Sequence, residues 1–128
     1  MKKLALAVII LLIVAASTFT ACAAPKANIY IDETRTIFTK VGEEFTIAVP
    51  ANPTTGYQWK ESHDASLLNL VGSEYKPSKQ AKGVVGAGGT QYFKFRALKP
   101  GMTRVDFSYQ RPTEGIIVDT KAFNIVIE

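Results

Sequence analysis

Few residues in this chain could do covalent chemistry. It contains one histidine, His63, and one cysteine, Cys22. A nucleophile–base pair needs its base held beside the nucleophile on rigid structure. Ser62 and Asp64 flank His63, but sequence neighbours in a strand-to-loop segment point apart, and His63 is expected as a solvated loop residue. No HExxH or paired-cysteine spacing offers a metal site. The run Gly86-Ala87-Gly88-Gly89 would cradle a phosphate only ahead of a helix N-terminus, and a strand-like segment follows it instead. The expectation is therefore no enzyme, no metal and no cofactor. A formal charge of +4 falls by two without Lys2 and Lys3, and no Lys/Arg run remains to track a phosphate backbone. Nucleic acid is not an expected partner.

What remains is the chemistry of binding, and three polar segments could supply it. In Asn52-Pro53-Thr54-Thr55-Gly56-Tyr57-Gln58-Trp59, Pro53 fixes its own φ and pushes Asn52 into an extended conformation. Thr54 and Thr55 are stiff at χ1, and Gly56 permits the positive φ of a reversal. Such a loop has little freedom to lose on docking. It also suits an ordinary β-turn. The second segment, Lys82 to Gly89, is either a hairpin tip or a place where bare backbone approaches a partner. The third begins at Arg111-Pro112-Thr113-Glu114-Gly115. Arg111 could clasp a partner's carboxylate through two N–H groups or be paired within its own loop, and Pro112 ends strand pairing.

The elements that must position these loops read as strands. Asn28 to Asp32 alternates around Ile29 and Ile31. Glu44 to Val49 puts Phe45, Ile47 and Val49 on one face. Tyr57 to Glu61 places Tyr57 and Trp59 together, and Leu67 to Glu74 is a less regular candidate. Thr90 to Leu98 sets Phe93, Phe95 and Ala97 against Tyr92, Lys94 and Arg96. Thr103 to Gln110 sets Val105, Phe107 and Tyr109 opposite Arg104, Asp106 and Ser108, and Phe123, Ile125 and Ile127 form a terminal strand. This period of two marks half-buried antiparallel strands. The fold class is all-β, a sandwich or partly closed barrel. Lys99-Pro100-Gly101 is expected to close a hairpin. With Greek-key connections, the three polar loops fall at one end and form a recognition edge on a rigid base.

The chain begins with Lys2, Lys3 and the apolar run Leu4 to Ala16, the pattern of a secretory signal peptide. Phe19-Thr20-Ala21-Cys22 resembles a bacterial lipobox, which implies cleavage before Cys22 and a lipid on its thiol. A plain signal peptide cleaved in the alanine-rich stretch beyond is the other reading. The division expected is signal peptide 1–21, tether 22–27 and one folded domain 28–128. With a single cysteine, no disulfide within the chain is possible. The location is extracytoplasmic, as a membrane-anchored lipoprotein or a secreted protein.

Taken together, Asn52-Pro53-Thr54-Thr55-Gly56-Tyr57 with Trp59, Gly86-Ala87-Gly88-Gly89-Thr90 and Arg111-Pro112 resemble, in order and spacing, the chagasin family of cysteine-protease inhibitors. The resemblance covers nearly the whole folded domain. It implies an immunoglobulin-like β-barrel whose three loops form a wedge that blocks the cleft of a papain-like protease, reversibly and without covalent chemistry. The loop 52–56 would enter the cleft, with Thr54 and Thr55 as close contacts. The loop around Gly86, Ala87, Gly88 and Gly89 would add main-chain contacts on the substrate side, and Arg111 with Pro112 would brace the other. The resemblance departs at Thr113, where the family has Trp after Arg-Pro; if that Trp is a hot spot, its loss costs about 2 kcal/mol or more of binding. The expected partner is a papain-like cysteine protease, the protein acting as a monomer. An envelope binding or adhesion module using the same loops is the alternative from another class.

Overall fold

The structure, a computed structural model, describes residues 28–79 and 88–128. Eight strands run in chain order: β1 Ile29–Tyr30, β2 Ile37–Thr39, β3 Glu44–Ala51, β4 Gln58–Ser62, β5 Leu68–Pro77, β6 Gly89–Ala97, β7 Gly101–Arg111 and β8 Ile116–Ile127. They form two four-stranded sheets, ordered β1-β3-β6-β5 and β2-β8-β7-β4. This is an immunoglobulin-like order in which the first strand is divided between the sheets, β1 lying parallel to β3 and β2 parallel to β8. The other pairings are antiparallel.

Alternation in the sequence sets the core. Phe45, Ile47 and Val49 of β3, Phe93, Phe95 and Ala97 of β6, Val105 and Phe107 of β7, and Phe123, Ile125 and Ile127 of β8 all point inward and are buried. Phe45 stacks on Phe95 with ring centroids 5.7 Å apart, and Phe107 meets Phe123 edge-on at 5.8 Å. Burying a large apolar side chain contributes about 1.5–3 kcal/mol relative to leaving it exposed.

The structure corrects four expectations. Around β1 it is Tyr30 that packs on the core, 6.4 Å from Phe45, while Ile29 and Ile31 face out. The segment Lys99-Pro100-Gly101 does not close a hairpin: it carries the chain from β6 in one sheet to β7 in the other. Pairing of β7 with β8 extends to Arg111↔Ile116, so the terminal strand starts seven residues earlier than Phe123. His63 is not a solvated loop residue. Its side chain is 16% exposed, its Nδ1 lies 2.6 Å from Glu61 Oε2, and its ring meets Phe95 edge-on at 5.5 Å.

Register decides where the loops lie. Ala51 at the end of β3 pairs with Gly89 at the start of β6, and Gly89 pairs with Pro77 at the end of β5. Gln58 at the start of β4 pairs with Gln110 near the end of β7, beside the Arg111↔Ile116 pair. The segments between β3 and β4, β5 and β6, and β7 and β8 therefore all leave from one end. The opposite end, here the base, holds the turn Lys40–Glu43, the Leu98–Pro100 crossing and Glu128, linked by Val41 N–H donating to Glu128 O and Gly42 N–H to Ala97 O.

Candidate functional site

The first loop is a single turn of 3-10 helix over Pro53–Thr55. Asn52 enters it with φ −138° and ψ 87°, the extended conformation required before proline. Thr55 N–H donates to Asn52 O at 3.2 Å and Gly56 N–H to Pro53 O at 3.1 Å. The threonine hydroxyls complete the turn, Thr54 Oγ1 donating to Asn52 Oδ1 at 2.6 Å and Thr55 Oγ1 to Asn52 O at 2.7 Å. Gly56 ends the turn in the left-handed region at φ 81°, which costs an L side chain energy. Pro53, Thr54, Thr55 and Gly56 are all exposed. The outcome is a small, internally bonded knuckle.

Beneath the knuckle stands a column of rings. Trp59 stacks on Tyr109 with centroids 4.8 Å apart, Tyr57 lies against Tyr109 at 5.5 Å, and the Arg111 guanidinium covers the Tyr57 ring at 4.6 Å. Each end of the column is tied to backbone. Trp59 Nε1 donates to Pro50 O at 2.7 Å. Tyr109 Oη accepts from Asn52 N–H at 2.9 Å and lies 3.3 Å from Asn52 O. Arg111 Nη2 donates to Thr55 O at 3.3 Å, while its Nη1 reaches both carboxylate oxygens of Glu114 at 3.4 Å. Of the two readings of Arg111, internal pairing is the one found: it ties the third loop to the first. Pro112 is exposed and opens the turn closed by Gly115 N–H donating to Arg111 O at 3.0 Å.

The second loop joins the same assembly at its described ends. Ser78 N–H donates to Gly88 O at 3.2 Å. A Cβ on Gly88 would stand 3.1 Å from Ala51 O, and one on Gly89 only 2.2 Å from Lys76 O. Both glycines thus allow backbones within the domain to approach closely. A shallow recess between the first and second loops is lined by Asn52, Ser78, Gly88 and Tyr109, among others. Gly86 and Ala87 lie outside the described residues, as does Cys22.

Asn52, Pro53, Thr54, Thr55, Gly56, Tyr57, Gly88, Gly89, Arg111 and Pro112 are therefore gathered at one end. Two contributors escaped sequence reasoning. Tyr109 lies 57 residues from the loop it holds and looked like one more alternating strand residue. It pairs with Trp59 across β4 and β7, a contact that no local pattern shows. Glu114 carries one sequence signal, its spacing of three from Arg111.

An immunoglobulin-like sandwich whose three loops all spring from one end offers a surface suited to binding. The model of the chagasin family peptidase inhibitor I42 matches residues 39–127, and the chain belongs to that family. It is similar to chagasin of Trypanosoma cruzi, 31% identical over 99 residues that make up 73% of this chain and 87% of the relative. Amoebiasin-1 of Entamoeba histolytica is 35% identical over 77 residues, 60% of this chain and 74% of that protein. The fold is shared with the crystal structure of the cysteine protease inhibitor EhICP2 from Entamoeba histolytica, with a TM-score of 0.67 at 23% identity, covering 82% of this chain and all of the other.

Proposed function

We propose that this protein blocks papain-like cysteine peptidases by seating its loop-built end in their substrate cleft, with Pro53–Thr55 against the catalytic cysteine and histidine. The observation that carries the reading is the self-bonded first loop. A peptidase cleaves backbone it can hold extended. Here the Asn52 and Pro53 carbonyls already accept hydrogen bonds inside a 3-10 turn, so the loop fills space without offering an extended scissile peptide. Its order is set before binding, which lowers the entropic cost of association. Inhibition is then reversible, competitive and non-covalent. Gly88 and Gly89 flank the loop on one side, Arg111 and Pro112 on the other.

Family membership weighs against the adhesion alternative. Titration of papain or a cathepsin tests the reading. Competitive inhibition with the inhibitor recovered uncleaved is expected, and the double variant Thr54→Glu, Thr55→Glu loses inhibition while remaining folded. Unchanged inhibition by that variant refutes the loop assignment.

The N-terminal sequence supports a second part of the reading. Lys2, Lys3, the run Leu4 to Ala16 and the lipobox-like Phe19-Thr20-Ala21-Cys22 fit export and lipid attachment at Cys22, the domain acting as a membrane-tethered monomer outside the cytoplasm. Metabolic labelling with palmitate checks this. Wild type takes up label and Cys22→Ser does not; label retained by the variant overturns it.

A further inference from the structure

The strand register fixes the end from which the chain leaves towards Cys22. β1 lies parallel to β3 with Ile29 opposite Thr46, and β3 rises from Glu44 at the base to Ala51 beneath the first loop. Asn28 O accepts from Thr46 N–H at 2.8 Å. The backbone therefore enters the domain near the base, several residues from the loop-built end. Six residues, 22–27, separate Asn28 from a lipid on Cys22, and even fully extended they span at most about 20 Å.

Exposed apolar side chains stand around this entry. Ile31 is 76% exposed, Phe38 65% and Met102 81%. Ile29, Ile31 and Phe38 border one shallow groove at the side where β1 gives way to β2. Phe38 is in register with Val126, and Val126 with Met102, so the same surface continues across the outer face of the second sheet. Arg35 stands beside it, its side chain 82% exposed and 3.6 Å from Asp32 Oδ2, and both border the same groove. Apolar side chains with charged groups at their margin can sit at the boundary of headgroups and acyl chains.

From the short reach of residues 22–27 and the position of this surface, we infer that the apolar surface beside the chain's entry, Ile29, Ile31, Phe38 and Met102, rests on the lipid bilayer and keeps the loop-built end off it. The inference rests on lipid attachment at Cys22 as proposed above. A tether this short holds the domain against the bilayer whatever its orientation, and the side next to the tether is the one that can bury apolar area there. The inhibitor would then present its first loop to peptidases arriving from the surrounding solution, without tumbling.

A fluorescence experiment on the full chain tests this. The lipidated protein is reconstituted in phosphatidylethanolamine–phosphatidylglycerol vesicles that contain nitroxide-labelled lipid. A second cysteine is introduced by Met102→Cys or Phe38→Cys at the base, or by Ile117→Cys near the loops, and labelled with an environment-sensitive dye, the Cys22 thiol being occupied by lipid. Met102 and Ile117 stand about 25 Å apart along paired strands. The expected result is at least a two-fold loss of emission from labels at 102 and 38 with little change at 117. Equal quenching at both ends, or greater quenching at 117, overturns the inference while leaving the anchor intact. Labels at 102 that self-quench between protein copies, without lipid quenching, assign the surface to a second copy and also overturn it. Failure of the protein to sediment with vesicles, together with a reactive Cys22 thiol, removes the anchor and the inference with it.

Discussion

At the residue scale, Tyr109 is the group on which the first loop most depends. Its hydroxyl accepts the Asn52 N–H at 2.9 Å, and its ring lies between Trp59 and Tyr57. Tyr109→Phe keeps the rings and removes the bond. The expected cost in unfolding free energy is about 1 kcal/mol, read from urea denaturation. If the bond also orders the loop, the inhibition constant rises about five- to ten-fold, the equivalent of 1–1.4 kcal/mol. Loss of stability with an unaltered inhibition constant would show that the loop holds itself. Asp64 and Asp32 offer a separate test away from the site. Ser66 donates both its hydroxyl and its N–H to the Asp64 carboxylate, and Thr34 does the same for Asp32. These bonds hold both carboxyls below the ordinary value of 3.8. A depressed carboxyl contributes stability that is complete above its unfolded pKa and fades as pH falls through the folded one. The contribution should therefore begin to fall below about pH 4, and Ser66→Ala should raise the Asp64 titration midpoint in carboxyl NMR. An unmoved midpoint would mean that the Ser66 hydroxyl bond does not persist in solution.

At the scale of elements, the hairpin β5–β6 depends on a missing side chain. A Cβ on Gly89 would stand 2.2 Å from Lys76 O and 2.7 Å from Pro77 Cα, both backbone atoms that cannot swing aside. Gly89→Ala should cost about 1–3 kcal/mol and weaken inhibition, because the second loop springs from this pair. Wild-type melting and inhibition from the variant would show that the strands separate freely there. The same comparison explains what the sequence disclosed. Alternation exposed β3, β6 and β7 because each has one buried face and one polar face. β2, three residues between turns, is too short to establish a period. The first half of β8 was hidden for another reason: Ile116, Ile117 and Val118 are all half-exposed, so no buried face alternates with a polar one. Which loops share an end followed from counting strands, since an antiparallel path returns to the same pole after two crossings. The bonds between loops did not follow, because Asn52 to Tyr109 and Thr55 to Arg111 are contacts across more than fifty positions, and nothing local encodes them.

At the scale of the whole molecule, the loop-built end and the base share one body with a single core. The domain has no disulfide to hold it, since the chain contains a single cysteine, and a fold of about 100 residues is stable by about 5–15 kcal/mol. Phe95 lies at the centre of this body, fully buried and in contact with the rings of Phe45 and His63. Its nearest paired neighbours, Phe45 and Leu70, belong to the lower half of the sandwich, away from the Tyr109 column. Phe95→Ala should lose about 3–5 kcal/mol of stability, measured by urea unfolding. Its effect on inhibition should come only through the folded fraction: at a temperature where the variant is fully folded the inhibition constant matches wild type, and near its midpoint the apparent constant doubles as half the molecules unfold. The braced loops need the sandwich to exist, but their shape is set by bonds at their own end. A fully folded Phe95→Ala protein that inhibits poorly would break this separation, and would mean that packing at the base reaches the knuckle through the strands.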